Sequence, residues 1–345
     1  MSWCVCVGGG GGVADWPHSQ TGGVFSIAFN NFLKACKAKL GMEFSVWRAI
    51  VRSDWQFPQA HGIKVSHLSE LFSERGDLHS ADNKAFKAKA GEMLALYALL
   101  RHTAETVLAD CPGVDDERSA FESACEVLDL IRECKRSVPS ALPDKADQLQ
   151  VAMRTRMERS VAIYGSDASI PKDHATRHVP PQIKDDLIVL DMFVVERLNL
   201  LVKHVSEAID NTRRWNYSVL ASVLTNQCNL LSESRHMTPG LVGKCVAWPQ
   251  DPSVTLARRV SAFGKDFQNG DFVVASNGAV GCVDACAREG ACFFLVVRQM
   301  VVVEGRWRHC ARYRMSANLQ CYRLSDVRAA DAWYFEANDV VMVLF

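Results

Sequence analysis

Hydrophobic periodicity changes character near Gly240, and that change constrains the fold more than any other feature of the chain. Before about residue 234, apolar side chains recur at three- and four-residue spacing, the mark of amphipathic helices. From Gly240 onward they fall in short alternating runs bounded by Asn-Gly and Glu-Gly pairs, the mark of strands and tight turns. A helical region followed by a strand-rich one predicts an α+β protein.

The strongest helical pattern covers residues 82–108, where Phe86, Ala90, Met93, Leu94, Tyr97, Leu100 and Ala104 recur and Lys84, Lys87, Lys89 and Glu92 occupy the other faces. Residues 115–136 repeat it with Phe121, Ala124, Val127, Leu128 and Ile131, and residues 142–164 repeat it more weakly. These three predict an antiparallel bundle linked around Pro112 and around Pro139 and Pro143. Further helical segments are expected over 25–40, 65–72, 185–210 and 213–231. A short helix starting near Pro171 would carry His174 and His178 on one face, with Pro180-Pro181 ending it.

In the C-terminal region, strands are expected over 254–263, 270–274, 279–285, 291–303, 306–315, 319–324 and 340–345. Asn269-Gly270, Asn277-Gly278, Glu289-Gly290 and Glu304-Gly305 supply the turns. A small antiparallel β barrel or sandwich of roughly five to seven strands is the economical reading.

With 345 residues, 48% of them hydrophobic, the chain can build two or three domains. The divisions expected are a disordered leader over 1–22, a helical region over 23–234 and a small β-rich domain over 235–345. The run Gly8 to Gly12 lacks the Gly-Lys-Ser/Thr of a phosphate loop and reads as part of the leader. Lys+Arg and Asp+Glu are equal at 39 each, so DNA contact would have to come from local patches. Thirteen cysteines without regular spacing read as reduced thiols. No apolar run is long enough for a membrane span and no secretory pattern opens the chain, so a nuclear or cytoplasmic protein without a membrane partner is expected.

Two separated fragments carry a resemblance. Asp15-Trp16-Pro17-His18 near the start, and Phe193-Val194-Val195-Glu196-Arg197 followed by Lys203, resemble the second and third acidic motifs of CACTA-type (En/Spm-like) DNA transposases of the kind abundant in some protist genomes. The Pro-Lys-x-His-x-x-x-His-x-Pro run from Pro171 to Pro180 resembles the segment those proteins carry before the glutamate helix. The likeness covers residues 14–231, and the β-rich region resembles the small module that follows in the protist versions. It implies an incomplete ribonuclease-H-like core with a large helical insertion. Asp15 would be the second carboxylate, His18 the motif histidine, and Glu196 the third carboxylate with Arg197 and Lys203 beside it. Such a core uses three carboxylates and two divalent metals, because in-line attack on a phosphodiester needs both the entering and the leaving oxygen neutralised.

Pro17 stands where the family has Met, and the fourteen residues before Asp15 hold no strand for the first carboxylate. The chain is therefore expected to be catalytically inactive and to hold no cofactor, with Mg²⁺ at Asp15 and Glu196 only if a complete site were restored. Without the resemblance, Asp15 reads as a polar leader residue and Glu196 as the partner of Arg197 or Lys203 on a helix with apolar neighbours.

Other candidates read from the residues themselves. His174 and His178 have metal-pair spacing but lack the glutamate of a zinc protease helix, and are expected to be structural or capping. Cys282, Cys286 and Cys292 lack knuckle spacing and are expected to be buried free thiols. For DNA, Arg306, Arg308, Arg312, Arg314, Arg323 and Arg328 interleave with Trp307, Tyr313 and Tyr322, so that alternation on strands could gather arginines on one face with aromatics packed inward. An ordinary solvated strand is the competing reading. A second basic group is Lys172, Arg197, Lys203, Arg213 and Arg214. The expected function is a degenerate or domesticated transposase remnant with residual DNA binding. The alternative is a helical protein-interaction scaffold whose β module recognises a protein partner, with no nucleic-acid role.

Overall fold

The computed structural model describes residues 16–52, 55–56, 65–73, 84–168, 171–189, 205, 215–232, 239–262, 265–306, 310–336 and 340–344. The chain divides into two compact units, residues 1–50 with 67–199 and residues 51–66 with 200–345. The architecture is α+β, helical in its N-terminal region and an antiparallel sheet at its C-terminal end.

A π-helix, Pro17–Phe25, runs directly into α1 (Ser26–Leu40). Then come α2 (Phe44–Arg52), α3 (Val65–Glu70), α4 (Ala90–His102) with a π-helical continuation at Thr103–Val107, α5 (Asp115–Arg136), α6 (Leu142–Tyr164), α7 (Pro171–Thr176) and α8 (Val179–Asp186). Helix α1 stops at Gly41, whose φ of +65° lets its N–H reach back to the carbonyls of Cys36 and Lys37. Helix α5 opens with Asp115, Asp116 and Glu117 and closes with Lys135 and Arg136, the order that suits the helix dipole. Both α5 and α6 have the bounds their periodicity predicts.

The core of the helical unit follows from the same spacing. Phe25, Phe29 and Phe32 recur on one side of the first two helices and meet Phe121 of α5, with Phe32 and Phe121 stacked at 4.8 Å. A second cluster joins Trp16 to Val127, Ile131, Leu149, Met153, Val179 and Ile183. Residues 16–22, assigned to a leader, are thus helical, with Trp16 only 2% exposed.

Three helical expectations are corrected. The pattern over 82–108 becomes helix only at Ala90, because Phe86 is used as a core plug: its N–H donates to the Ser26 carbonyl at 3.1 Å, and Ser26 Oγ donates to the Phe86 carbonyl at 2.6 Å. Pro180-Pro181 does not end a helix but starts α8, where the missing N–H groups would have had no intrahelical partner. Helix α8 then stops at Asp186 with Leu187 left-handed at φ +53°, so no helix begins at 185. The rest of the segment expected over 185–210 lies largely outside the described residues.

The other unit contains α9 (Trp215–Ser232) and the strands β1 (Gly240–Val242), β2 (Val246–Trp248), β3 (Asp251–Ala257), β4 (Arg259–Ala262), β5 (Lys265–Gln268), β6 (Phe272–Ala275), β7 (Val280–Glu289), β8 (Cys292–Arg306), β9 (Cys310–Arg323), β10 (Val327–Ala329), β11 (Ala332–Phe335) and β12 (Val340–Leu344). Nine strands form one antiparallel sheet whose main path is β10-β6-β7-β8-β9-β12-β11, with β3 on β7 and β2 on β3; β1, β4 and β5 form a second small sheet. The large sheet curls toward a barrel but does not close as one. Its two end strands, β10 and β11, are consecutive in the chain, and at the crossing Ala330 N–H donates to Phe272 and Asp331 N–H to Leu344.

Alternation sends Phe272 and Val274 of β6 into one cluster, with Tyr313, Trp333, Val341 and Val343, and Val273 into another, with Val283, Leu295 and Val297. Gly270, Gly278 and Gly290 turn at positive φ as their sequence pairs predict. Glu304-Gly305 does not turn: β8 runs through it to Arg306 with shifts of register. The runs over 306–315 and 319–324 are one strand, β9, whose register against β8 slips between Met315 and Leu319. Gly281 is required by packing, since a Cβ there would lie 2.2 Å from Val297 Cγ1 and 2.8 Å from the Arg298 carbonyl oxygen.

Candidate functional site

The sheet unit presents apolar side chains to solvent in two places. On α9, Tyr217, Leu220 and Leu224 stand at i, i+3 and i+7, which puts them on one helical face, and they are 73%, 58% and 54% exposed while Val219 is buried. On the sheet, Val301, Val302 and Val303 of β8 are exposed beside Met315 of β9, whose partner across the strands is Met300.

A third feature lies at the edge of β11. Gln56 makes an isolated antiparallel bridge with Trp333: its N–H donates to the Trp333 carbonyl at 2.8 Å and its carbonyl accepts the Trp333 N–H at 3.1 Å. The Trp333 indole N–H also donates to Gln56 Oε1 at 3.2 Å. Trp55, buried, sets its ring edge-on to Tyr334 at 4.6 Å. Tyr334 donates its hydroxyl to Glu336 at 2.6 Å, and Arg312 Nε donates to the same carboxylate at 3.0 and 3.2 Å. Burial, with the hydrogen bond to Glu336, pushes the Tyr334 phenol up to about 12, so it stays a donor at neutral pH.

These geometries decide part of the arginine reading. Tyr313 packs inward and Arg314 outward on β9, as alternation predicts. Arg312 shares the Arg314 side of the strand but is ion-paired with Glu336, and other sheet arginines are similarly engaged, Arg298 with Asp284 and Arg259 with Asp266. Arg314 and Arg323 are exposed. Arg306 ends β8, but its side chain lies outside the described residues, as does Arg308.

The carboxylates Asp15 and Glu196, with Arg197, Lys203, Arg213 and Arg214, also lie outside the described residues, as does the side chain of His18. What is described next to Asp15 is the π-helix, where Gln20 and Thr21 are wholly buried with side-chain polar atoms that meet no protein partner. Such an element has no periodicity signal that sequence reasoning could have used.

His174 and His178 are exposed, with Nε2 atoms 3.4 Å apart and rings edge-on at 5.0 Å. His178 occupies the α8 N-cap position without a side-chain capping bond. Among the described residues no group of three or more His, Cys, Asp or Glu is arranged to hold a metal. Of the three sheet cysteines, Cys286 is buried, Cys282 half-buried and Cys292 exposed, all as free thiols. Burial pushes Cys286 up to about 12 and Cys282 up to about 11, which keeps both as unreactive thiols. Cys292 departs from the buried expectation because it opens β8 at the hairpin turn opposite Glu289.

The helical unit also holds buried ion pairs. Arg156 binds Asp173, with both side chains at most 5% exposed, beside a shallow recess lined by Val24, Ala28, Asn31 and Ser160. Arg101 binds Asp129 and Glu105, and Tyr97 donates to Asp129 at 3.2 Å. Among the described residues no helix is long and apolar enough to cross a membrane. Compared with known proteins, the chain matches no family model, no curated protein and no solved structure.

Proposed function

We propose that this chain is a protein-interaction scaffold whose sheet-containing unit recognises a protein partner. The observation that carries the reading is the exposed Tyr217, Leu220 and Leu224 stripe on α9. Three large apolar side chains at i, i+3 and i+7 are the anchor pattern by which a helix enters a partner's groove or packs on a partner's helix. The exposed valines of β8 add a second apolar surface of the same kind. Binding, not catalysis, is the role assigned, and the transposase-like motifs enter as ancestry.

Leu220→Glu with Leu224→Glu tests this. The double variant is expected to fold normally and to lose association with a protein partner that wild type retains at 0.5 M salt, on the order of a tenfold or larger fall in affinity. Undiminished association would remove the reading.

A second reading, residual DNA binding by a transposase-derived remnant, is favoured by the exposed Arg314 and Arg323 on β9. It predicts duplex affinity that falls steeply with salt and a shallower salt slope in Arg314→Ala.

A further inference from the structure

The contact between Trp55–Gln56 and β11 has the form of peptide recognition by strand addition. An edge strand offers unpaired backbone groups, and an added segment satisfies them while its side chains find specific contacts. Here β12 covers one side of β11 through four residue pairs, and Gln56 takes the other side through one reciprocal pair of backbone hydrogen bonds. The side chains supply the specificity. The indole N–H of Trp333, itself 3% exposed, needs an acceptor and finds the Gln56 amide oxygen. Trp55 finds the Tyr334 ring, which the Tyr334–Glu336–Arg312 chain of hydrogen bonds holds in place.

The inserted residue comes from 277 positions away in the chain. Among the described residues Gln56 meets β11 in a single isolated bridge, and an external segment of the same chemistry competes with the tethered one for that edge. We infer that the edge of β11 is a docking site for an extended peptide presenting an aromatic residue followed by Gln or Asn, occupied in this structure by Trp55–Gln56 and taken over by a partner peptide that displaces them. The inference rests on the protein-recognition reading and names the class of ligand for one of its surfaces; it uses no residue of α9.

The test uses the full chain and a fluorescein-labelled peptide copying residues 53–57, Ser-Asp-Trp-Gln-Phe. By fluorescence anisotropy, Trp55→Ala with Gln56→Ala, which removes the ring contact and the indole acceptor and leaves the segment only its backbone bridge, is expected to bind the peptide at least tenfold more tightly than wild type. The same peptide with Ala in place of Trp is expected to lose that binding. If the double variant does not fold, Gln56→Ala alone removes the indole acceptor while keeping Trp55, and it is expected to bind several-fold more tightly than wild type. Equal binding by wild type and a folded variant, absence of binding to a folded variant, or equal binding of the Trp-free peptide would overturn the proposal. Peptide binding unchanged in Leu220→Glu with Leu224→Glu is expected. A failed peptide test with the association through α9 intact removes this inference alone, whereas loss of the α9 association with peptide binding retained removes nothing from it.

Discussion

The helical unit hides its large apolar side chains, and the sheet unit displays some of its own. In the first, Phe25, Phe29, Phe32, Phe86 and Phe121 are all at most 2% exposed, and the exposed apolar residues are mostly isolated valines such as Val107, Val138 and Val151. In the second, Tyr217, Leu220 and Leu224 share one helix face, and Val301 to Val303 adjoin Met315. Scattered exposed valines are ordinary, while grouped large apolar residues mark surfaces that other molecules cover. One ion pair from each unit sharpens the contrast. Arg156 and Asp173 pair in the interior of the helical unit, whereas Arg298 and Asp284 pair at the surface of the sheet.

That contrast sets the scale of expected effects. Asp173→Ala strands the Arg156 guanidinium without its carboxylate and should lower stability by about 3–5 kcal/mol in urea unfolding. Its counterpart Asp284→Ala breaks a pair whose side chains are 43% and 38% exposed, and should lower stability by about 1 kcal/mol or less. Equal losses would erase the distinction. Phe121→Ala removes the ring that Phe25, Phe29 and Phe32 pack around and should cost about 3–5 kcal/mol, with the heat-denaturation midpoint falling accordingly. Within the sheet, Gly281→Ala forces Val297 and the β8 backbone to shift, which thermal melts should register as about 1–3 kcal/mol. By comparison, Leu220→Glu should alter stability by only about 0.5 kcal/mol, since its side chain is already in solvent.

A further effect is a titration. Burial and the Glu336 hydrogen bond raise the Tyr334 phenol from 10.0 to about 12 in the folded chain. A group raised on folding stabilises fully below its unfolded value and loses that contribution as pH rises through its folded value. Stability should therefore decline between pH 10 and 12, and Tyr334→Phe should show a shallower decline over that window.

Much of the helical unit was legible because α5 has a clear apolar periodicity and α6 a weaker one bounded by Pro139 and Pro143, and both sets of bounds follow from the sequence. The start of α4 was not, because Phe86 fits the helical pattern yet is fixed outside the helix by hydrogen bonds to Ser26, a tertiary demand that outweighs local spacing. In the sheet unit the Asn-Gly turns were readable, while β10 and β11 were not, being short strands of three and four residues with no flanking Gly pair. The edge contact of Trp55–Gln56 carries no local signal, since its partner is Trp333. The α9 stripe was present as spacing, but spacing alone assigns such a face to the core, and only exposure distinguishes the two.

The most direct test of a partner-binding face on the sheet unit is quantitative co-purification of wild type, Leu220→Glu with Leu224→Glu, and Arg314→Glu with Arg323→Glu at low and high salt. A stoichiometric protein partner retained at high salt by wild type and by the arginine variant, and lost from the leucine variant, is the predicted result. Equal recovery from all three, or salt-sensitive duplex DNA lost only from the arginine variant, would contradict it.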